Sequence, residues 1–105
     1  MAMSTRTLWL SFVDDDKPEG ERLLGVAIIE VTDAMVTAAR GDVAERFPDA
    51  AEGAEIVAAA MIEAWRLGCN PGGRMSSVEL EPDQAVGAPR GVLMSQSELE
   101  ARGLV

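Results

Sequence analysis

The 105-residue sequence has no histidine, no tyrosine and a single cysteine. Without histidine, the usual zinc ligand sets and the Ser-His and Cys-His nucleophile pairs are absent. One thiol, Cys69, excludes an internal disulfide framework and any multi-cysteine metal site. No run of about 18 apolar residues is present to span a bilayer, so no membrane partner is expected. The apolar start Leu8-Trp9-Leu10 is broken at Ser11 and again at Asp14-Asp15-Asp16, too soon for the hydrophobic region of a signal peptide, and a cytoplasmic location is expected. Basic residues are scarce as well. Nine Lys and Arg stand against eighteen Asp and Glu, a formal net charge of -9 and a pI near 4.3. That balance disfavours direct binding of a nucleic-acid polymer, which needs clustered cations to neutralise phosphates.

A hydrophobic content of 48% is enough for one core, and the length suits one domain spanning residues 1–105. Over Arg6 to Val13, Leu8, Leu10 and Phe12 alternate with Thr7, Trp9 and Ser11, the period of a strand with one buried face. Leu23 to Val31 is almost continuously apolar and reads as a central strand buried on both faces. Gly25 within it signals a bulge or a close approach by another backbone. After Thr32 the period becomes helical. Asp33 is the expected N-cap, and Met35, Val36, Ala39, Val43 and Phe47 share a face up to Pro48, with Gly41 a weak point. A second helix is expected over Asp49 to Leu67, burying Ala54, Val57, Ala58, Met61, Ile62 and Trp65 and exposing Glu52, Glu55, Glu63 and Arg66. Arg74 to Leu80 reads as a third strand. Glu81 to Met94 reads as irregular, and Ser95-Gln96-Ser97-Glu98 is a capping box for a short terminal helix. The order strand, strand, helix, helix, strand predicts a small two-layer α/β (α+β) sandwich. Three strands would leave edges and a face uncovered, so a homo-oligomer is expected.

The turn Leu67-Gly68-Cys69-Asn70-Pro71-Gly72-Gly73-Arg74 is the richest in chemistry. Consecutive amides near glycines can form a nest for phosphate or carboxylate, and Arg74 adds a guanidinium. The competing reading is a helix stop, with Gly68 as left-handed cap and Pro71 barring continuation. Trp65, one turn earlier, offers a stacking face for a nucleobase. Arg90, between Pro89 and Gly91, is a second arginine placed to reach a ligand. Asp14, Asp16 and Glu30 are the residues an oxygen-ligated divalent cation would need, although their spacing matches no calcium loop and a solvated turn is the simpler reading. Cys69 follows a helix C-terminus, which raises a thiol pKa and argues against a nucleophile. No catalytic residue, metal ligand set or cofactor is assigned, and a non-enzyme is expected, with a metal-dependent phosphodiesterase or hydrolase using Asp14, Asp16 and Glu30 as the third alternative.

Three segments, Leu24-Gly25-Val26-Ala27-Ile28-Ile29, Ala64-Trp65-Arg66-Leu67-Gly68-Cys69-Asn70-Pro71-Gly72-Gly73 and Leu93-Met94-Ser95-Gln96-Ser97-Glu98-Leu99-Glu100, resemble an uncharacterised family of small bacteriophage and bacterial proteins. The Leu-Gly-Cys-Asn-Pro-Gly-Gly stretch is the most specific part. The resemblance implies a phage or prophage context, hence the host cytoplasm, and no catalytic residue. By analogy of size and context alone, it suggests an anti-defence sponge like those of Thoeris and CBASS systems. The leading expectation is therefore a non-enzymatic homo-oligomer that sequesters an anionic, nucleotide-like immune signal, a cyclic ADP-ribose isomer or cyclic nucleotide, with Trp65, Asn70, Gly72, Gly73, Arg74 and Arg90 as ligand contacts. The alternative is an acidic inhibitor or adaptor that docks on a basic surface of a host protein through Asp14 to Asp16 and the glutamates of the second helix.

Overall fold

A computed structural model describes residues 5–81, 83–84 and 87–105; Met1–Ser4, Pro82, Ala85 and Val86, which belong to the leader and tail expectations, lie outside them. In chain order the elements are β1 (Thr5–Val13), β2 (Leu23–Thr32), α1 (Asp33–Arg46), α2 (Ala54–Arg66), β3 (Arg74–Leu80), β4 (Leu93–Met94) and α3 (Gln96–Ala101). The strands form one four-stranded sheet in the order β3-β1-β2-β4, and each neighbouring pair is antiparallel. The two strands joined by the helical crossover, β2 and β3, thus run parallel with β1 between them. The small α+β class expected from the pattern is the one observed. The fourth strand is new: Leu93 and Met94 fall in a stretch read as irregular, yet pair with Ala27 and Val26.

Alternation in β1 does what its period implies. Leu8, Leu10 and Phe12 point to the helices and meet Ala27, Ile29 and Val31 of β2 in the larger core. The helical layer departs from expectation in two ways. The N-cap of α1 is Thr32, whose side chain accepts from the Met35 amide, and Asp33 is the first helical residue. In α2, which starts at Ala54 behind a left-handed Gly53, the buried residues are Ala59, Ala60 and Ala64. Met61, Ile62 and Trp65 face outward, Trp65 with 77% of its surface exposed. Small side chains let the helix lie close to the sheet, and close packing selects alanine over larger residues that would hold the helix away. The larger residues are left on the opposite side.

The second face of the sheet is covered by the end of the chain. Val26 and Ile28 pack with Met94 of β4 and Leu99 of α3, flanked by Trp9, Leu80, Ala88 and Leu104. Gly25 permits this closure, because a Cβ there would stand 2.7 Å from Leu93 Cδ1. Its expected role as a close-approach point is the observed one. Val78 on β3 lies beyond the cover and is exposed.

Candidate functional site

The glycine turn begins as a helix stop. Gly68 is left-handed at φ 74°, its amide donates to Trp65 O, and the Cys69 amide donates to Ala64 O at 2.8 Å. These two bonds form the Schellman pattern, which satisfies the last carbonyls of α2. Asn70 Oδ1 then accepts from the Gly72 amide at 3.1 Å, an Asx turn that occupies one of the amides expected for an anion. Gly73 has a packing role: a Cβ there would come within 2.5 Å of Val13 O. Only a glycine lets the backbone pass the end of β1 at that distance, whereas Gly72 opens to empty space.

Arg74 grips a carboxylate. Its Nε donates to Asp15 Oδ2 at 2.8 Å and its Nη2 to Asp15 Oδ1 at 3.1 Å, a bidentate pair that ties the β1–β2 loop to the start of β3. The hydrogen bond from Arg74 holds the Asp15 carboxyl below its ordinary value, and Asp15 raises Arg74 in turn. Both side chains are more than half exposed, so water screens the attraction and the pair adds little stability. No local pattern joins two residues 59 positions apart, which is why Asp15 was missed as a partner.

Arg90 lies at the other end of the sheet. It donates from Nε to Glu30 Oε1 at 3.1 Å and from Nη1 to Ala88 O at 2.9 Å. Glu30 stands opposite Thr7 on β1, while Arg74 stands opposite Val13. Six residues of strand, about 20 Å at 3.4 Å per residue, separate the two arginines. A single chain therefore does not assemble Arg74 and Arg90 into one pocket. The same register corrects the cation-site idea, since Asp14 follows Val13 and lies more than about 20 Å along the strand from Glu30. Among the described residues no group of three His, Cys, Asp or Glu is arranged to hold a metal ion. Around Arg90 a polar cavity of about 530 Å³ is lined by Thr5, Arg6, Thr7, Glu30, Glu79 and Glu81, among others, with Arg6 bonded to Glu79 at 3.0 Å.

Trp65 is not core; it stands exposed on the outer side of α2. Its neighbour Arg66 is bonded to Glu63, which holds Glu63 below and Arg66 above their ordinary values. Burial pushes the Cys69 thiol up, and Sγ donates to Gly91 O at 3.0 Å. The raised thiol agrees with the sequence reading, with desolvation as the main cause. No helix among the described residues is long and apolar enough to cross a membrane.

Charge is distributed unevenly along the chain. Residues 14–22 and 42–52 hold nine of the eighteen acids and only three bases, Lys17, Arg22 and Arg46. Glu63 and Leu67, at the C-terminal end of α2, share a small cavity with Glu30. The connection at the opposite end of α2 is therefore remote from Glu30, as is the β1–β2 loop at the far end of β2. Half of the acids thus fall in the β1–β2 loop and in the end of α1 with the connection after it, turned away from the Arg90 cavity. No family model, curated protein or solved structure gives a significant match to this chain.

Proposed function

We propose that the chain is a non-enzymatic recognition protein that docks through its acidic segments, 14–22 and 42–52, onto a basic surface of a protein partner. The observation that carries this reading is the distribution of charge. The two segments concentrate the acid excess in exposed loops and a helix end, while Arg6, Arg66, Arg74 and Arg90 are each paired with a carboxylate. A field of one sign over a broad surface speeds association with a partner of opposite sign and sets its orientation. Glu63 of α2 and Asp15 of the first segment contribute less than their sequence suggests, because they are committed to Arg66 and Arg74. The test is capture from the cytosol of expressing cells, followed by reconstitution with the purified partner. Asp42→Asn, Glu45→Gln, Asp49→Asn and Glu52→Gln combined should weaken the reconstituted complex by about tenfold or more, with a shallower salt dependence. An affinity that neither salt nor these changes move would overturn the reading.

A second reading, retention of a nucleotide-like anion, is supported by the cavity at Arg90 and no longer by the glycine turn. Its volume of about 530 Å³ falls within the range of small-molecule sites, roughly 300–1,000 Å³, and it is lined by Arg6 and Arg90, although an anion there would have to displace their partners Glu79 and Glu30. At the turn, an incoming phosphate would have to displace Asp15 among neighbouring carboxylates. Titration calorimetry with cyclic ADP-ribose or a cyclic dinucleotide should then show heat that Arg90→Ala abolishes and Arg74→Ala leaves in place. The reverse pattern would return the site to the turn, and no heat from either ligand would leave docking as the function.

A further inference from the structure

Along α2, Ala54, Ala58, Met61 and Trp65 recur at spacings of four, three and four residues, the two alanines half-buried and Met61 and Trp65 exposed, with Ala58 also touching the core. That is one stripe of a helix in the apolar rhythm of a coiled-coil seam. Two features set it apart from a stray exposed patch. The side chains grade from small at the N-terminal end to very large at the C-terminal end. The 4-3-4 spacing also reads the same in both directions. An antiparallel copy of the helix therefore falls into register at once, with Trp65 of each chain opposite Ala54 of the other and Met61 opposite Ala58. Large against small at every facing position is the arrangement that fills an interface without voids.

The surroundings fit the same occupant. Ala54, Ala58 and Met61 help line a mainly apolar groove of about 730 Å³, whose lining continues through Val43, Phe47 and the 46–50 stretch with Arg46 and Asp49. Trp65 lies seven residues past Ala58, about 10 Å along the helix, so a two-fold axis near the middle of α2 brings each indole over the partner's groove. The first turn of α2 carries Glu55 and its last turn Arg66, which is bonded to Glu63 of its own helix, so antiparallel pairing sets a neutralised ion pair, and no second acidic turn, beside Glu55 of the copy. The helix dipoles oppose favourably in the same arrangement. Trp65 (77% exposed), Ile62 (53%) and Met61 (40%) would be covered together.

We infer that the protein forms a two-fold dimer through α2, with Trp65 of each chain seated in the Ala54–Ala58 groove of its copy. The inference does not rest on the docking reading, although Val43 and Phe47 of the groove lie within segment 42–52, and it is separate from the Arg90 cavity. Sedimentation velocity on the full chain should give a species of twice the 11.1 kDa chain mass at micromolar concentration. Trp65→Ala, which removes an exposed side chain, should weaken the dimer by about thirtyfold or more, as for a tryptophan that fills a pocket in its partner, while leaving the circular dichroism spectrum unchanged. The decisive variant exchanges the two sizes. Ala54→Trp alone sets Trp against Trp and should also weaken association, whereas Ala54→Trp combined with Trp65→Ala restores large against small and should recover most of it. A monomer at every concentration would overturn the inference, as would a dimer that Trp65→Ala leaves intact. If Trp65→Ala weakens the dimer but the double variant of normal circular dichroism fails to recover it, the antiparallel seam is wrong.

Discussion

On one face of the sheet Leu8, Leu10, Phe12, Ala27, Ile29 and Val31 meet α1 and α2; on the other, Val26 and Ile28 meet Met94 and Leu99. Both sets are buried to within a few per cent of full cover, yet the chain that covers them is held differently. The two helices sit inside the β2-to-β3 crossover, so they cannot leave while both strands remain in the sheet. The second cover is a tail after β3, attached by a two-residue strand, a helix of six residues, the packing of Met94 and Leu99, and the bonds of Arg90 and Gly91 to Glu30 and Ile28. Equal burial does not imply equal resistance to opening, because a segment that can detach sets its own local free energy.

The largest effect should follow from cutting into the helix side. Leu10→Ala removes a fully buried side chain where the flanking strands and helices cannot follow the void, and should cost about 2–5 kcal/mol of global stability by urea denaturation. Leu99→Ala deletes the same number of methylenes from an equally buried position. Its global cost should fall near the bottom of that range, about 2 kcal/mol, since the tail can open before the rest unfolds. Equal costs for the two would break the comparison and make the tail part of one cooperative unit.

The same contrast explains what could be read in advance. Period-two alternation located β1, the apolar run located β2, and the bounds of β3 came out as observed, because each strand is long enough for its pattern to repeat. Two residues, Leu93 and Met94, carry no period, so β4 was hidden. In α2 hydrophobicity alone pointed to the wrong face: Met61, Ile62 and Trp65 outweigh alanine on any scale, while close helix–sheet packing rewards Ala59, Ala60 and Ala64 for being small. Gly68 was legible as a cap, since the left-handed requirement is local. The partners of Arg74 and Arg90 were not legible. Asp15 and Glu30 lie 59 and 60 positions away, and only the antiparallel register β3-β1-β2 decides that the two arginines end up at opposite ends of the sheet.

A smaller change tests whether the tail is a separate unit. Ser95 Oγ accepts from the Glu98 amide at 3.2 Å, while Glu98 Oε1 accepts from the Ser95 amide at 3.5 Å, the reciprocal box expected from the sequence. A six-residue helix is far below the length at which a helix is stable by itself, about 12–15 residues. Ser95→Ala removes one half of the box and should cost α3 about 1 kcal/mol. If the tail opens independently, hydrogen exchange should speed up at Leu99 and Arg102, whose amides bond to Ser95 O and Glu98 O. At Leu104, bonded to Leu99 O, the same acceleration of about fivefold is expected, as 1 kcal/mol implies. Exchange in the centre of β1, which the tail does not pair with, should stay at its parent rate. Uniform acceleration through β1 and α2 would instead show that the two covers are lost in one step, and that the short β4 tether is stronger than its two residues suggest.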